Sequence, residues 1–219
     1  MSAKLWAEIG LGIYETFYMT LASTLLGYVI GLPLGVILII TRRDGIRQNL
    51  AVNQVLGVIV NIMRSIPFLI LMIAIIPFTR FVRGKSYGST ATIVPLTMAA
   101  FPFISRMVES SLAEVDGGVI EAAQAMGATP MQIIRKVYIP EATPSLISGA
   151  AIVATNILGY SAMAGSVGGG GLGAIAINYG YYRFNAEVMV VCIAIMVVLV
   201  QAMQLVGTRL SVQLDHRLR

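Results

Sequence analysis

The sequence predicts an all-α, polytopic membrane protein with five transmembrane helices. Three observations carry this reading. Only 11% of the 219 residues are charged, where soluble domains carry about 25%. Hydrophobic residues make up 57% and the mean hydropathy is +0.84, so polar side chains are too few to cover the apolar ones in water. The apolar residues also fall into runs long enough to cross a ~30 Å hydrocarbon core as helices. A lipid solvent argues against a nucleic-acid binder despite a pI of 9.6. In lipid, the formal charge of +5 acts mainly on orientation.

The first run spans Phe17 to Thr41 and carries Gly27, Gly31 and Gly35 at every fourth position. Such a small-residue stripe lets helix backbones approach closely. Pro33 lies within it and predicts a local bend. The second run covers Val55 to Phe78, with Asn61, Arg64 and Pro67 inside it. The third, Ala91 to Val108, holds Thr92, Pro95, Thr97, Pro102 and Ser105. That content suits a helix facing protein or a pore rather than bulk lipid. The fourth runs from Pro144 to Met163, with Asn156, Gly159 and Ser161 near its far end. The fifth, Val188 to Val206, has Gln201 and Gln204 as its strongly polar members. Cys192 sits in this run without a partner or metal spacing and reads as a small buried apolar residue. No cleavable leader is predicted, since Glu8 and Glu15 precede the first long apolar run.

Five spans put the two termini on opposite sides. One side then holds nine basic residues: Arg42, Arg43, Arg47, Arg106, Arg135, Lys136, Arg209, Arg217 and Arg219. The other holds five: Lys4, Arg80, Arg83, Lys85 and Arg183. The positive-inside rule puts the first group in the cytoplasm and the N-terminus outside.

The polar connection from Glu109 to Glu141 is too long for a simple turn. It reads as two short helices outside the membrane. Asp116 caps the first, Glu121 lies in its first turn at the positive end of the helix dipole, and Gly127 ends it in a left-handed conformation. Thr129, Pro130 and Gln132 form a capping box that starts the second, and Pro140 and Pro144 bracket entry to the fourth span.

Within this hairpin, Glu121-Ala122-Ala123, three residues, Gly127, nine residues and Val137-Tyr138-Ile139-Pro140 resemble the EAA signature of ATP-binding-cassette (ABC) importer permeases. The chain has Val137 and Ile139 where the signature has Ile and Leu. Arg64-Ser65-Ile66-Pro67-Phe68, Ile76-Pro77-Phe78-Thr79-Arg80, Met126 to Ile133 and Gly159-Tyr160-Ser161-Ala162-Met163 are similar to the methionine ABC importer permeases. Related polar amino-acid permeases more often read R-G-T-P where this chain has Arg64 to Pro67. The resemblance extends from the first span to the fifth. It implies a type I ABC transmembrane domain over residues 13–208 with a coupling loop at 109–141. Residues 1–12 would form a periplasmic N-terminus and 209–219 a cytoplasmic tail.

The resemblance further implies a homodimer in a bacterial inner membrane. Two ATP-binding subunits would hold the ATP and Mg, with no cofactor in this chain, and an extracytoplasmic methionine-binding protein would deliver D- or L-methionine. Glu121, Ala122, Ala123, Met126 and Gly127 would be the helix that seats in the ATPase. Small Ala122 and Ala123 would let it sit deep in a groove, and Val119, Ile120 and Met126 would anchor it. The competing reading of those residues is an ordinary capped surface helix. Tyr160, Ser161 and Met163, next to Gly168 to Gly171, suit an outer gate with Met163 as a flexible apolar plug. The plainer reading is an outer loop without a gating role.

Arg64 falls within the second span, where a charged residue costs ~2.5–3.5 kcal/mol on insertion scales. It either borders the translocation path or the coupling loop, or snorkels to fix helix depth. Two motifs are decoys. Gly84-Lys85-Ser86 has Thr79 where a P-loop needs its first glycine, and Gly168, Gly170 and Gly173 match G-x-G-x-x-G without a preceding strand. His216, the one histidine, sits in the polar tail. No nucleophile–base pair or metal cluster is evident, so the sequence gives no support to an enzyme. An ABC permease for another small solute, such as a polar amino acid or an osmolyte, is the second reading. An independent secondary transporter or channel is the alternative class, but such proteins use ionisable groups within their spans. Arg64 is the clear one here.

Overall fold

The computed structural model describes residues 3–214. His216, Arg217 and Arg219 lie outside them. Among the described residues the chain is helical, without strands. Helix α1 (Ala3–Thr41) is 39 residues long and starts well before the first apolar run. Its glycine row meets α5 (Ser89–Ala113). A Cβ on Gly27 or Gly31 would stand 2.7 Å from Ile104, and one on Gly35 2.6 Å from the Ser105 carbonyl oxygen. Glycine is therefore required at this seam by close backbone approach, as the stripe predicted. The buried hydroxyls of Thr16, Thr20, Thr24 and Thr41 each donate to the carbonyl four residues back. That satisfies them without water inside an apolar environment.

Asn49 caps α2 (Leu50–Ser65), its side chain accepting from the Val52 N–H at 3.2 Å. The second apolar run is not one straight span. It breaks after Ser65, and α3 (Phe68–Ala74) leaves at 100° to α2. Pro67 lacks the N–H that would continue the ladder, and it holds Ile66 in an extended conformation at φ −79°, ψ 122°. Helix α4 (Ile76–Arg83) follows and ends at Gly84. Helix α5 bears out the reading of a protein-facing span. More than half of its most apolar stretch is buried, including Thr92, Pro95, Thr97, Pro102 and Ser105.

The polar connection is shorter than its sequence suggests, because α5 runs on to Ala113. One separate short helix, α6 (Gly117–Ala125), follows. The second predicted helix, α7 (Pro130–Ile133), does not stand alone. It passes through a π-helical turn at Ile134–Tyr138 into α8 (Ile139–Ala164). Pro140 and Pro144 therefore lie inside a helix and do not bracket its entry. The turn makes this possible. The Ile139 N–H bonds back to Ile134 across the wider ring, and Pro140 falls in the first positions of the next segment. A missing N–H there costs little.

After α8 come a 3₁₀ turn at Gly165–Val167, the short α9 (Gly171–Ile175) and a second π-helical turn at Ala176–Tyr181. Helix α10 (Ala186–Leu214) completes the bundle and buries the smallest share of its apolar surface among the membrane-length helices. The main core joins α1, α5 and α8 with α6. A smaller cluster of Ile9, Leu172, Ala176, Val188 and Cys192 ties the start of α1 to α9 and α10. Cys192 is buried there, as its sequence context predicted.

Candidate functional site

Two regions hold the residues the sequence singled out. The first is α6. Asp116 caps it, its Oδ1 accepting from the Gly118 N–H at 2.7 Å. Gly127 closes it at φ 78°, with the Gly127 N–H bonded to Gln124 and the Ala128 N–H to Ala123. This pair of bonds is a Schellman motif, which uses up the last free carbonyls. Thr129 and Gln132 make the reciprocal capping box, with Gln132 Oε1 accepting from the Thr129 N–H at 2.8 Å. The helix is thus fixed at its start by the Asp116 side chain and at its end by the left-handed backbone of Gly127, both legible in the sequence.

Its faces differ from expectation in two places. No acidic residue lies in the first turn; Glu121 is the fifth residue of α6, so Asp116 supplies the negative charge near the helix start. Ala123 is only 6% exposed and packs into the chain's own core, so it supports the helix from beneath and does not face a partner. Val119, Ala122 and Met126 are exposed and share one helical face. Met126 is 82% exposed, an apolar side chain left without cover. Ile120, Glu121 and Gln124 line an open polar cleft of about 530 Å³ shared with Arg42, Asp44 and Tyr138. Arg42 and Asp44 pair at 2.8 Å across its rim.

The second region surrounds the α2–α3 break. The Phe68 ring stacks on Tyr160 of α8, with centroids 4.8 Å apart and planes 7° from parallel. Ser161, beside it, is buried and donates to the Leu158 carbonyl at 2.7 Å. It serves the helix and does not offer its hydroxyl to a passing solute. Ile152, Asn156, Gly159 and Met163 are exposed along one stripe of α8. Gly165 and Gly173 bring the end of α8 against α9, where a Cβ on Gly173 would overlap the Ala162 carbonyl oxygen. The glycine segment is therefore a packed corner. Glu15 reinforces it by accepting from the Gly171 N–H at 2.7 Å and from Ser89 Oγ at 3.2 Å.

Arg64 is exposed, with its guanidinium 5.7 Å from the Phe103 ring centroid. The sequence reading missed Arg106, one helix across. Its guanidinium donates to Asn61 Oδ1 at 3.0 Å and to the Gly57 carbonyl at 3.1 Å, and pairs with Glu109. This cluster bolts α2 to α5. The i, i+3 spacing of Arg106 and Glu109 was visible in the sequence, but nothing there brought Asn61 to them. Among the described residues no group of three or more His, Cys, Asp or Glu is placed to hold a metal.

Membrane-length helices around a shared core, joined by a short exposed helix and carrying polar groups within the spans, define a membrane permease subunit. The family model described as "Binding-protein-dependent transport system inner membrane component" matches residues 19–219, and the chain belongs to that family. Its relatives are narrower in description. It is 50% identical over 204 residues to the probable D-methionine transport system permease protein MetI of Vibrio cholerae, covering 93% of this chain and 91% of that protein. It is 54% identical over 154 residues to the D-methionine transport system permease protein MetI of Escherichia coli K12, covering 70% and 71%. A solved structure of the MetNI methionine ABC transporter in an inward-facing conformation superimposes with a TM-score of 0.97 at 49% identity. That match covers 99% of this chain and 100% of the other.

Proposed function

We propose that this chain is the permease of an ATP-driven importer that carries D- and L-methionine across a bacterial inner membrane. The observation that carries the reading is full-length similarity, in sequence and fold together, to methionine permeases. Two copies form the pore. Two separate subunits bind and hydrolyse ATP with Mg, and an extracytoplasmic binding protein supplies methionine. The N-terminus faces outside and the C-terminus the cytoplasm, supported by the distribution of Lys and Arg.

The exposed face of α6 supports a docking role. Val119, Ala122 and Met126 seat in the ATPase, while Glu121 borders the adjoining polar cleft. Gly127 sets the turn that presents this face. ATP can bias a two-state pore only through contacts that differ between the states, and these residues are the contacts on offer. At the other end of α8, Tyr160 and Met163 form the gate, held in place by Phe68 and by the packed glycine corner.

The test is reconstitution of the chain with its ATPase subunits and binding protein in proteoliposomes. Labelled methionine is expected to accumulate with ATP, and excess unlabelled methionine to compete where histidine and glutamine do not. Equal competition by histidine or glutamine would assign another cargo. Full uptake by the chain alone would end the ABC reading.

A further inference from the structure

Two arginines lie within the α2 and α5 spans, and their surroundings are opposite. Arg106 is neutralised by Glu109 and saturated by Asn61 and Gly57. Arg64 has no acidic partner among the described residues; its contact is the face of Phe103. It is exposed, on a helix whose neighbouring surface is Val58, Ile59 and Ile62. An unneutralised cation on a membrane helix faces a water-filled path or a counter-anion. Structural snorkelling would carry the guanidinium toward an interface. Here it is held instead over a ring of α5, beside the polar side chain of Asn61.

The backbone around Arg64 adds the opposite sign. Arg64 is the second-last residue of α2, at the negative end of that helix. Pro67 offers no N–H, and the extended Ile66 turns the chain away. The last carbonyls of α2 therefore lack helical donors. Ser65 does not relieve them, since its hydroxyl donates one turn back to Asn61. A free guanidinium and a set of free carbonyls thus stand together where a membrane helix breaks. Discontinuous helices offer ions and charged solutes such ends.

From this juxtaposition we infer that Arg64 and the C-terminal carbonyls of α2 form a transit site for the zwitterionic head of the amino acid. Arg64 takes the carboxylate and the carbonyls take the ammonium. The planar fork of arginine suits a carboxylate better than a lysine does. The site reads the head common to amino acids of either hand, and it leaves the side chain to the apolar surroundings. This inference rests on the reading of the chain as an amino-acid permease.

The experiment uses the chain assembled with its ATPase subunits. The probe is a diazirine analogue of methionine with free amine and carboxylate, compared with the same analogue as its carboxamide. After photolysis, labelled peptides are mapped. The acid is expected to label the segment 61–68 or Phe103, and the carboxamide at least tenfold less. Arg64→Gln should reduce labelling by the acid at least tenfold, Arg64→Lys should fall between, and Arg80→Gln should match the unaltered complex. Equal labelling by acid and carboxamide, or full labelling of Arg64→Gln, would overturn the inference. Should Arg64→Gln fail to assemble, the two probes on the unaltered complex still decide. ATP-driven methionine uptake by that complex, reconstituted in proteoliposomes with the binding protein, is measured alongside. Its absence would count against the permease reading itself, whereas uptake without carboxylate-dependent labelling would remove only this site.

Discussion

At Gly127 the backbone alone sets the requirement. Its φ is 78°, and no heavy atom lies within 4 Å of where a Cβ would stand. A substitution there meets no neighbour and costs only the left-handed conformation, roughly 1–2 kcal/mol for a branched residue. Gly127→Val is expected to lower methionine uptake several-fold with normal membrane insertion, while Gly127→Asn, which tolerates that region, keeps most of it. Equal uptake by the two variants would separate the turn from coupling. Arg106 is different, because its removal leaves Glu109 and Asn61 without their partner. Arg106→Ala should cost about 1–3 kcal/mol, read as a lower thermal midpoint in detergent. A double variant with Glu109→Ala should recover part of it. Outside the spans, Tyr179 donates to Glu8 Oε2 at 2.6 Å, and this bond to the carboxylate holds the phenol above its ordinary 10.0. The bond's contribution is complete below the ordinary value and is lost as pH rises through the higher one. In an ultraviolet titration Glu8→Ala should shift this phenol back down.

Helix α6 shows what an element adds to its residues. Ala122 and Ala123 are neighbours with the same side chain, yet one is exposed and the other supports the core. Ala123→Glu should destabilise the chain by several kcal/mol, since it buries a charge without a partner. Ala122→Glu should leave the stability within about 0.5 kcal/mol and instead weaken association with the ATPase, measured by co-purification. Comparable loss of folding in both would contradict the assigned faces. The ends of α6 were legible because Asp116, Gly127, Thr129 and Gln132 act through local bonds at fixed offsets. Its faces were not, because Ala carries no periodic signal. The fusion of α7 into α8 was hidden for a related reason. Pro140 and Pro144 signal an interruption, and only the π-helical turn before them removes the conflict. The α2–α3 break escaped in the opposite way. Pro67 was visible, but the residues on both sides are equally apolar, and hydropathy carries no direction.

For the whole molecule, composition and run length sufficed for an all-helical membrane fold, and the spaced hairpin motif pointed to the family. Arrangement across the bilayer is open to direct measurement. With Cys192→Ser as background and the chain in membranes without its ATPase subunits, Ala122→Cys should react with a membrane-impermeant maleimide only after the cytoplasmic side is exposed, and Lys85→Cys without that step. The reverse pattern would invert the topology. What one-dimensional reading could not supply were the long-range meetings, such as Phe68 with Tyr160 or Glu15 with Gly171, which depend on close packing in three dimensions. The continuous helix from Pro130 to Val167 has a mechanical corollary. Its 38 residues amount to a rod of ~57 Å at 1.5 Å per residue. Pivoted near its lower end, such a lever converts a tilt of ~10° into a sweep of ~10 Å at its tip by the same length. A tilt of that size about the Pro130 end would carry Met163 by more than the width of its own side chain.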